Sequence, residues 1–89
     1  MKLLLCLKCN DIFNLSDKEK ACGCGQTGGR YLDHVEAIYW GYHAVPLGFD
    51  NMSLRKALIA QPNFGNGSKF DAFVIPKRCS TMNKINKQR

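Results

Sequence analysis

Cys6-Leu7-Lys8-Cys9 and, after a twelve-residue spacer, Cys22-Gly23-Cys24-Gly25 decide the reading of this chain. Four soft thiolates delivered by two turns suit a tetrahedral Zn²⁺. The first pair has the usual C-x2-C spacing, and the second is tighter. Glycines at 23 and 25 fit a knuckle in which backbone N–H groups turn toward sulfur and positive φ is needed. The spacing therefore predicts a structural zinc held by Cys6, Cys9, Cys22 and Cys24. Four protein ligands leave no open position for water, so such a metal staples and does not catalyse. Two alternatives stay open at this point: a site in which His34 or His43 replaces one of the cysteines, and four free buried thiols. The fifth cysteine, Cys79, stands far along the chain and reads as a free thiol.

The length explains why a staple is needed. Eighty-nine residues make at most one domain, and a core that small contributes only about 3–5 kcal/mol on its own. No secretory signal is visible. The apolar run Leu3 to Leu7 is interrupted by Lys8, too short for a signal peptide and for a membrane span. The expected setting is the cytoplasm, where thiols stay reduced and clustered cysteines bind metal in preference to forming disulfides.

The net charge of +6 is unevenly placed. Residues 1–76 carry eight basic side chains and all seven acids, while Lys77, Arg78, Lys84, Lys87 and Arg89 follow with no acid among them. Four thiolates around one zinc add about −2 to the body. The expectation is a near-neutral zinc-ribbon domain over 1–76 and a basic, flexible tail over 77–89. Such a tail can touch phosphate without specificity.

The rest of the chain reads as a small α+β fold, a zinc ribbon with a few antiparallel strands and one helix. Lys2 to Cys6 is a strand that delivers the first ligand pair, Asn10-Asp11 a turn, and Ile12 to Leu15 the return strand. Arg30 to Trp40 is one long strand or a hairpin turning near His34 to Glu36. Ala44 to Phe49 is extended, with Pro46 arguing for a sheet edge. Asp50 or Asn51 caps a helix over Met52 to Ala60, with Leu54, Ala57 and Leu58 as its inward stripe. Lys69 to Ile75 is a last strand.

Two stretches carry more chemistry than a scaffold needs. In Gly28-Gly29-Arg30-Tyr31-Leu32-Asp33, bare backbone N–H groups stand beside a guanidinium, a ring and a carboxylate, a set able to hold an oxyanion and stack a base. At Asn51, Ser53 and Arg55 a helix N-terminus favours an anion. Tyr39, Trp40 and Tyr42 add stacking surfaces. The ordinary reading of the same residues is glycines for turns, a capped helix, and rings in the core. His34-Val35-Glu36 is an H-x-E, but the order and partners of a zinc deaminase are missing, and no nucleophile has a defined place beside an acid or base.

As a set, C-x2-C and C-x-C-G, Gly-Gly-Arg-Tyr-Leu-Asp at 28–33, Ala-Val-Pro-Leu-Gly-Phe-Asp-Asn at 44–51 and Phe-Val-Ile-Pro-Lys at 73–77 resemble a loose group of small uncharacterised zinc-ribbon proteins of bacteriophages and prophages. That resemblance implies host cytoplasm as the compartment and counter-defence as a context, and no catalytic residues. The functional expectation is a non-enzymatic protein that captures a phosphate-bearing ligand, a nucleotide or cyclic nucleotide, between Gly28, Gly29, Arg30, Tyr31 and Asp33 on one side and Asn51, Ser53 and Arg55 on the other. A homodimer can share one ligand. The alternatives are a nucleic-acid-binding zinc ribbon that uses its tail, and an inhibitor of a host protein through Tyr39, Trp40, Tyr42 and Phe49.

Overall fold

The computed structural model describes residues 1–86. Eight short strands and one helix follow one another as β1 (Lys2–Cys6), β2 (Ile12–Asn14), β3 (Lys20–Ala21), β4 (Gly28–Tyr31), β5 (Ala37–Trp40), β6 (Ala44–Phe49), α1 (Asn51–Ile59), β7 (Ala72–Val74) and β8 (Met82–Lys84). They form two four-stranded sheets, ordered β2-β1-β6-β7 and β3-β4-β5-β8. All pairs are antiparallel except β5 with β8.

The core draws on both sheets. Leu4 of β1, Ala37 and Tyr39 of β5 and Met82 of β8 are buried together with Leu15 and Ile75, which stand just past β2 and β7. Alternation explains Leu4: in β1 the Leu4 and Cys6 side chains are fully buried while Leu5 between them is not. The stretch from Arg30 to Trp40 is a hairpin. Its turn is held by Asp33, whose Oδ1 accepts from the Val35 and Glu36 amides at 2.8 and 2.7 Å. Lys2 ties the sheets further, with Nζ donating to the Val35 carbonyl and, at 2.8 Å, to that of Thr81.

Several expectations are corrected here. Pro46 lies inside its sheet, paired with Leu4 on one side. Its carbonyl accepts from Ile75 N at 2.9 Å on the other. The donor that proline lacks faces the spot where β7 has already ended, at the Leu47–Val74 pair, so the vacancy falls at the end of the ladder. The region after residue 76 is not a loose tail through residue 86. Met82 is in the core, and β8 pairs in parallel with β5 from Ala37 to Tyr39. The charge count of that region hides one apolar side chain that the core accepts. Lys87 and Arg89, also assigned to the tail, lie outside the described residues. Cys79 is free and half-buried, packed against the same core. Finally, α1 has no buried side chain, so Leu54, Ala57 and Leu58 form no buried stripe. Its cap is Asp50, which accepts from Met52 N and Ser53 N at 3.1 and 3.2 Å.

A candidate metal centre

The two cysteine pairs sit on the tips of two hairpins, one in each sheet. Cys6 ends β1, and Cys9 lies in the turn to β2; Cys22 follows β3, and Cys24 lies in the turn to β4. In the first turn Asn10 N donates to Cys6 O at 2.7 Å, and Cys6 N to Asp11 O at 2.9 Å. In the second, Gly25 N donates to Cys22 O at 3.0 Å, and Cys22 N to Thr27 O at 2.8 Å. Each turn needs a left-handed residue directly after its second cysteine. Gly25 supplies one at φ 76° and Asn10 the other at φ 61°. Asparagine tolerates that region better than most side chains do. Asp11 then joins the tips, its Oδ2 accepting from Gly23 N at 3.0 Å.

The outcome is a cluster of four sulfurs, all within 4.8 Å of one another. Cys6 Sγ is 3.8 Å from Cys24 Sγ, which is 3.4 Å from Cys22 Sγ. A Zn–S bond of about 2.3 Å requires tetrahedral S···S edges of about 3.8 Å. The donor set and its spacing therefore fit one tetrahedral ion. Among the described residues this cluster consists of cysteines alone. His34 lies in the β4–β5 turn and His43 stacks edge-on against Tyr42, with ring centroids 5.1 Å apart.

The sulfurs also perturb one another. The Thr27 hydroxyl, helped by the Cys9 and Lys8 amides, lowers the Cys6 thiol to about 6 against the effect of burial. Burial raises Cys22, but Cys24 and the Thr27 and Gln26 amides bring it below its ordinary value. Cys24 goes the other way, up to about 11: the Gln26 amide pulls it down, and Cys22, burial and the other two sulfurs outweigh it. Four sulfurs this close cannot all lose their protons without a cation among them. Thr27 Oγ1 is fully buried and has no hydrogen-bond partner among the described residues.

The other singled-out residues are distributed more widely. Gly28 and Gly29 are buried in β4, paired with Trp40 and Tyr39. A Cβ on Gly28 would stand 2.6 Å from Lys20 O and closer still to the Trp40 ring, so this glycine is required by packing. Arg30 and Tyr31 are half-buried, and the Tyr31 hydroxyl accepts from Lys2 N at 3.1 Å. Asp33 is occupied by its turn, whose Glu36 and Val35 amides hold its carboxyl below the usual carboxylate range. Asn51 Oδ1 accepts from the amino terminus at 3.3 Å, Ser53 Oγ accepts from Asp71 N at 2.7 Å, and Arg55 is exposed. The first group belongs to one sheet, and the second follows a strand of the other. Of the four aromatic residues named as an interface, Tyr39 and Trp40 are buried and Phe49 packs edge-on against Phe70; only Tyr42 is fully open.

A cleft of about 430 Å³ lies elsewhere, between the second cysteine turn and β8. It is lined by Gln26, Trp40, Gly41, Tyr42, Lys84, Ile85 and Asn86. Sequence reasoning reached Trp40 and Tyr42 but not Lys84 or Asn86, because only the parallel pairing of β8 with β5 brings residue 84 beside residue 39. Asn10 carried a legible signal, the left-handed residue after a C-x2-C. Thr27 carried none. No helix among the described residues is long and apolar enough to cross a membrane. Comparison with known proteins gives no match: no family model, no curated protein and no solved structure corresponds to this chain.

Proposed function

We propose that this chain is a zinc-stapled, non-enzymatic binding protein. One observation carries the reading: four thiols from two sheets converge to within 4.8 Å of one another. Thiolate-only donor sets select soft or borderline ions, and tetrahedral S4 points to zinc. With Cys6, Cys9, Cys22 and Cys24 all bound, the ion has no site for substrate, so it locks the two hairpin tips and the sheets behind them. Metal analysis of purified protein tests this, with one zinc per chain expected. Less than a tenth of that in the full-length protein, with all five cysteines reduced, would end the reading.

The ligand we propose is phosphate-bearing, in the nucleotide or cyclic-nucleotide class, and its place is the cleft beside the second cysteine turn. Tyr42 is 91% exposed there and offers a face on which a base stacks. Lys84 supplies the cation for phosphate, with Gln26 and Asn86 as amide partners. The resemblance to small phage proteins sets such capture in counter-defence. Calorimetric titration with mono-, di- and cyclic nucleotides is the test. Tyr42→Ala and Lys84→Ala should each weaken binding about tenfold, with zinc content unchanged. Arg30→Ala and Arg55→Ala should have little effect. No heat with any nucleotide would exclude the ligand class, and a dependence on Arg30 and Arg55 would exclude the cleft.

A further inference from the structure

The two cysteine turns meet where the core does not reach. No side chain of the buried core cluster belongs to either tip, and Cys9 and Cys24 are exposed. Apolar burial therefore does not set how the tips face each other, although four thiolates must come within bonding distance of one ion. One side chain spans the gap. Asp11 closes the first turn with its backbone, its carbonyl accepting from Cys6 N at 2.9 Å. It reaches the second turn with its side chain, Oδ2 accepting from Gly23 N at 3.0 Å. The peptide unit between Cys22 and Gly23 is thereby held at both ends. Its carbonyl accepts from Gly25 N inside the turn, and its N–H donates across to the other tip. A peptide unit is planar, so fixing both ends fixes the backbone from which the Cys22 side chain leaves and that of Cys24 follows.

The surroundings of this bond narrow its role. Asp11 is not one of the converging groups, since the cluster within reach of one ion consists of four sulfurs. Gly23 is not left-handed, unlike Gly25. A Cβ at position 23 would meet only Asp11 Oδ2, at an ordinary contact of 4.0 Å. What position 23 supplies is its amide. Four thiolates on one zinc carry a net charge of about −2. A carboxylate beside them is repelled, and the charge-assisted bond to Gly23 N works against that repulsion.

We propose that Asp11 is a positioning residue of the metal centre. Its side-chain oxygen holds the second cysteine turn against the first, so that the ion meets four sulfurs already brought together. What the site uses is the acceptor oxygen and not the negative charge. This inference rests on the zinc reading above and does not depend on the nucleotide reading.

The test is competition for zinc between the reduced full chain and a chromophoric chelator, together with amide exchange of the loaded protein followed by NMR. Asp11→Ala should weaken zinc binding about tenfold, the lower end of what losing a partner outside the ligand set costs, and its Gly23 amide should exchange faster. Asp11→Asn keeps an acceptor oxygen. Its neutral bond is weaker, but the repulsion is gone, so zinc binding should stay within about threefold of the unaltered chain. Gly23→Ala keeps the amide and should bind zinc as the unaltered chain does. Met82→Ala, which weakens the core away from the tips, should leave the Gly23 amide protected, so a general loss of stability does not reproduce the signature. If Asp11→Ala does not fold, Asp11→Asn and the Gly23 exchange of the unaltered chain decide. An Asp11→Ala variant that binds zinc as tightly as the unaltered chain overturns the proposal. So does an Asp11→Asn variant as weak as Asp11→Ala, or a Gly23 amide that exchanges as fast as that of the exposed Gly67. A chain that takes up no zinc overturns the zinc reading and this proposal together, whereas a loaded chain indifferent to Asp11→Ala overturns this proposal alone.

Discussion

Stripping the metal should dissolve the fold, and the size of the effect follows from the arrangement of the site. All four sulfurs already lie within 4.8 Å of one another, and the pairs at 3.4 and 3.8 Å bracket the low side of the edge of about 3.8 Å that a tetrahedral ion needs, so binding takes only small side-chain adjustments. Zinc bound to thiolate-rich peptides contributes an apparent 10–16 kcal/mol or so near neutral pH. A core the size of this one contributes about 3–5 kcal/mol net. The metal term is the larger, and it acts between the sheets, because Cys6 and Cys9 belong to one hairpin and Cys22 and Cys24 to the other. Removing it with a chelator under reducing conditions should therefore unfold the whole domain and not merely loosen a loop. Trp40 is a built-in reporter: it is buried and packs on Gly28, four residues past Cys24. Its emission should shift to the red as zinc leaves, with a parallel loss of β-type circular dichroism and recovery on adding zinc back. Cys24→Ser should behave like the stripped protein. Cys79→Ser, outside the cluster, should retain one zinc per chain. A metal-free chain that keeps Trp40 buried and melts within about 2 °C of the loaded form would refute the reasoning, since a change of only a few tenths of a kcal/mol would then separate the two.

Gly28→Ala should cost about 1–3 kcal/mol, because the new methyl meets the Lys20 carbonyl and the Trp40 ring inside van der Waals distance; thermal melts of the zinc-loaded protein check it. Met82→Ala should cost about 2–5 kcal/mol as a buried large-to-small change, whereas a residue in a frayed tail would leave the melting temperature where it was. The Asp33 carboxyl should titrate below the ordinary aspartate value of about 3.9 in an NMR pH series, since its charged form accepts from two turn amides. The sign follows: stabilisation of the β4–β5 turn is complete above the unfolded value and is lost as pH falls through the lower, folded one. A midpoint at or above 3.9 would contradict it.

What the sequence determined was local. The clustering of the four cysteines, β1 and its return strand, the turn at Asn10-Asp11, the helix and its cap at Asp50 were all legible, because each depends on spacing or on a side chain within a few residues of its partner. Pro46 and Met82 were misplaced for the opposite reason. A proline signals only that a donor is missing, and whether that vacancy harms the sheet depends on where β7 ends, more than twenty residues on. The lysines and arginines after residue 76 hid the one methionine that the core needed. Only the tertiary structure decided that the two cysteine turns belong to different sheets, so that a metal held by all four cysteines would join the two sheets. It also decided that Lys84 stands beside the Tyr42 cleft while Gly28 and Gly29 are consumed by packing. Strand order is set by which apolar faces exclude water together, and no short stretch of sequence carries that information.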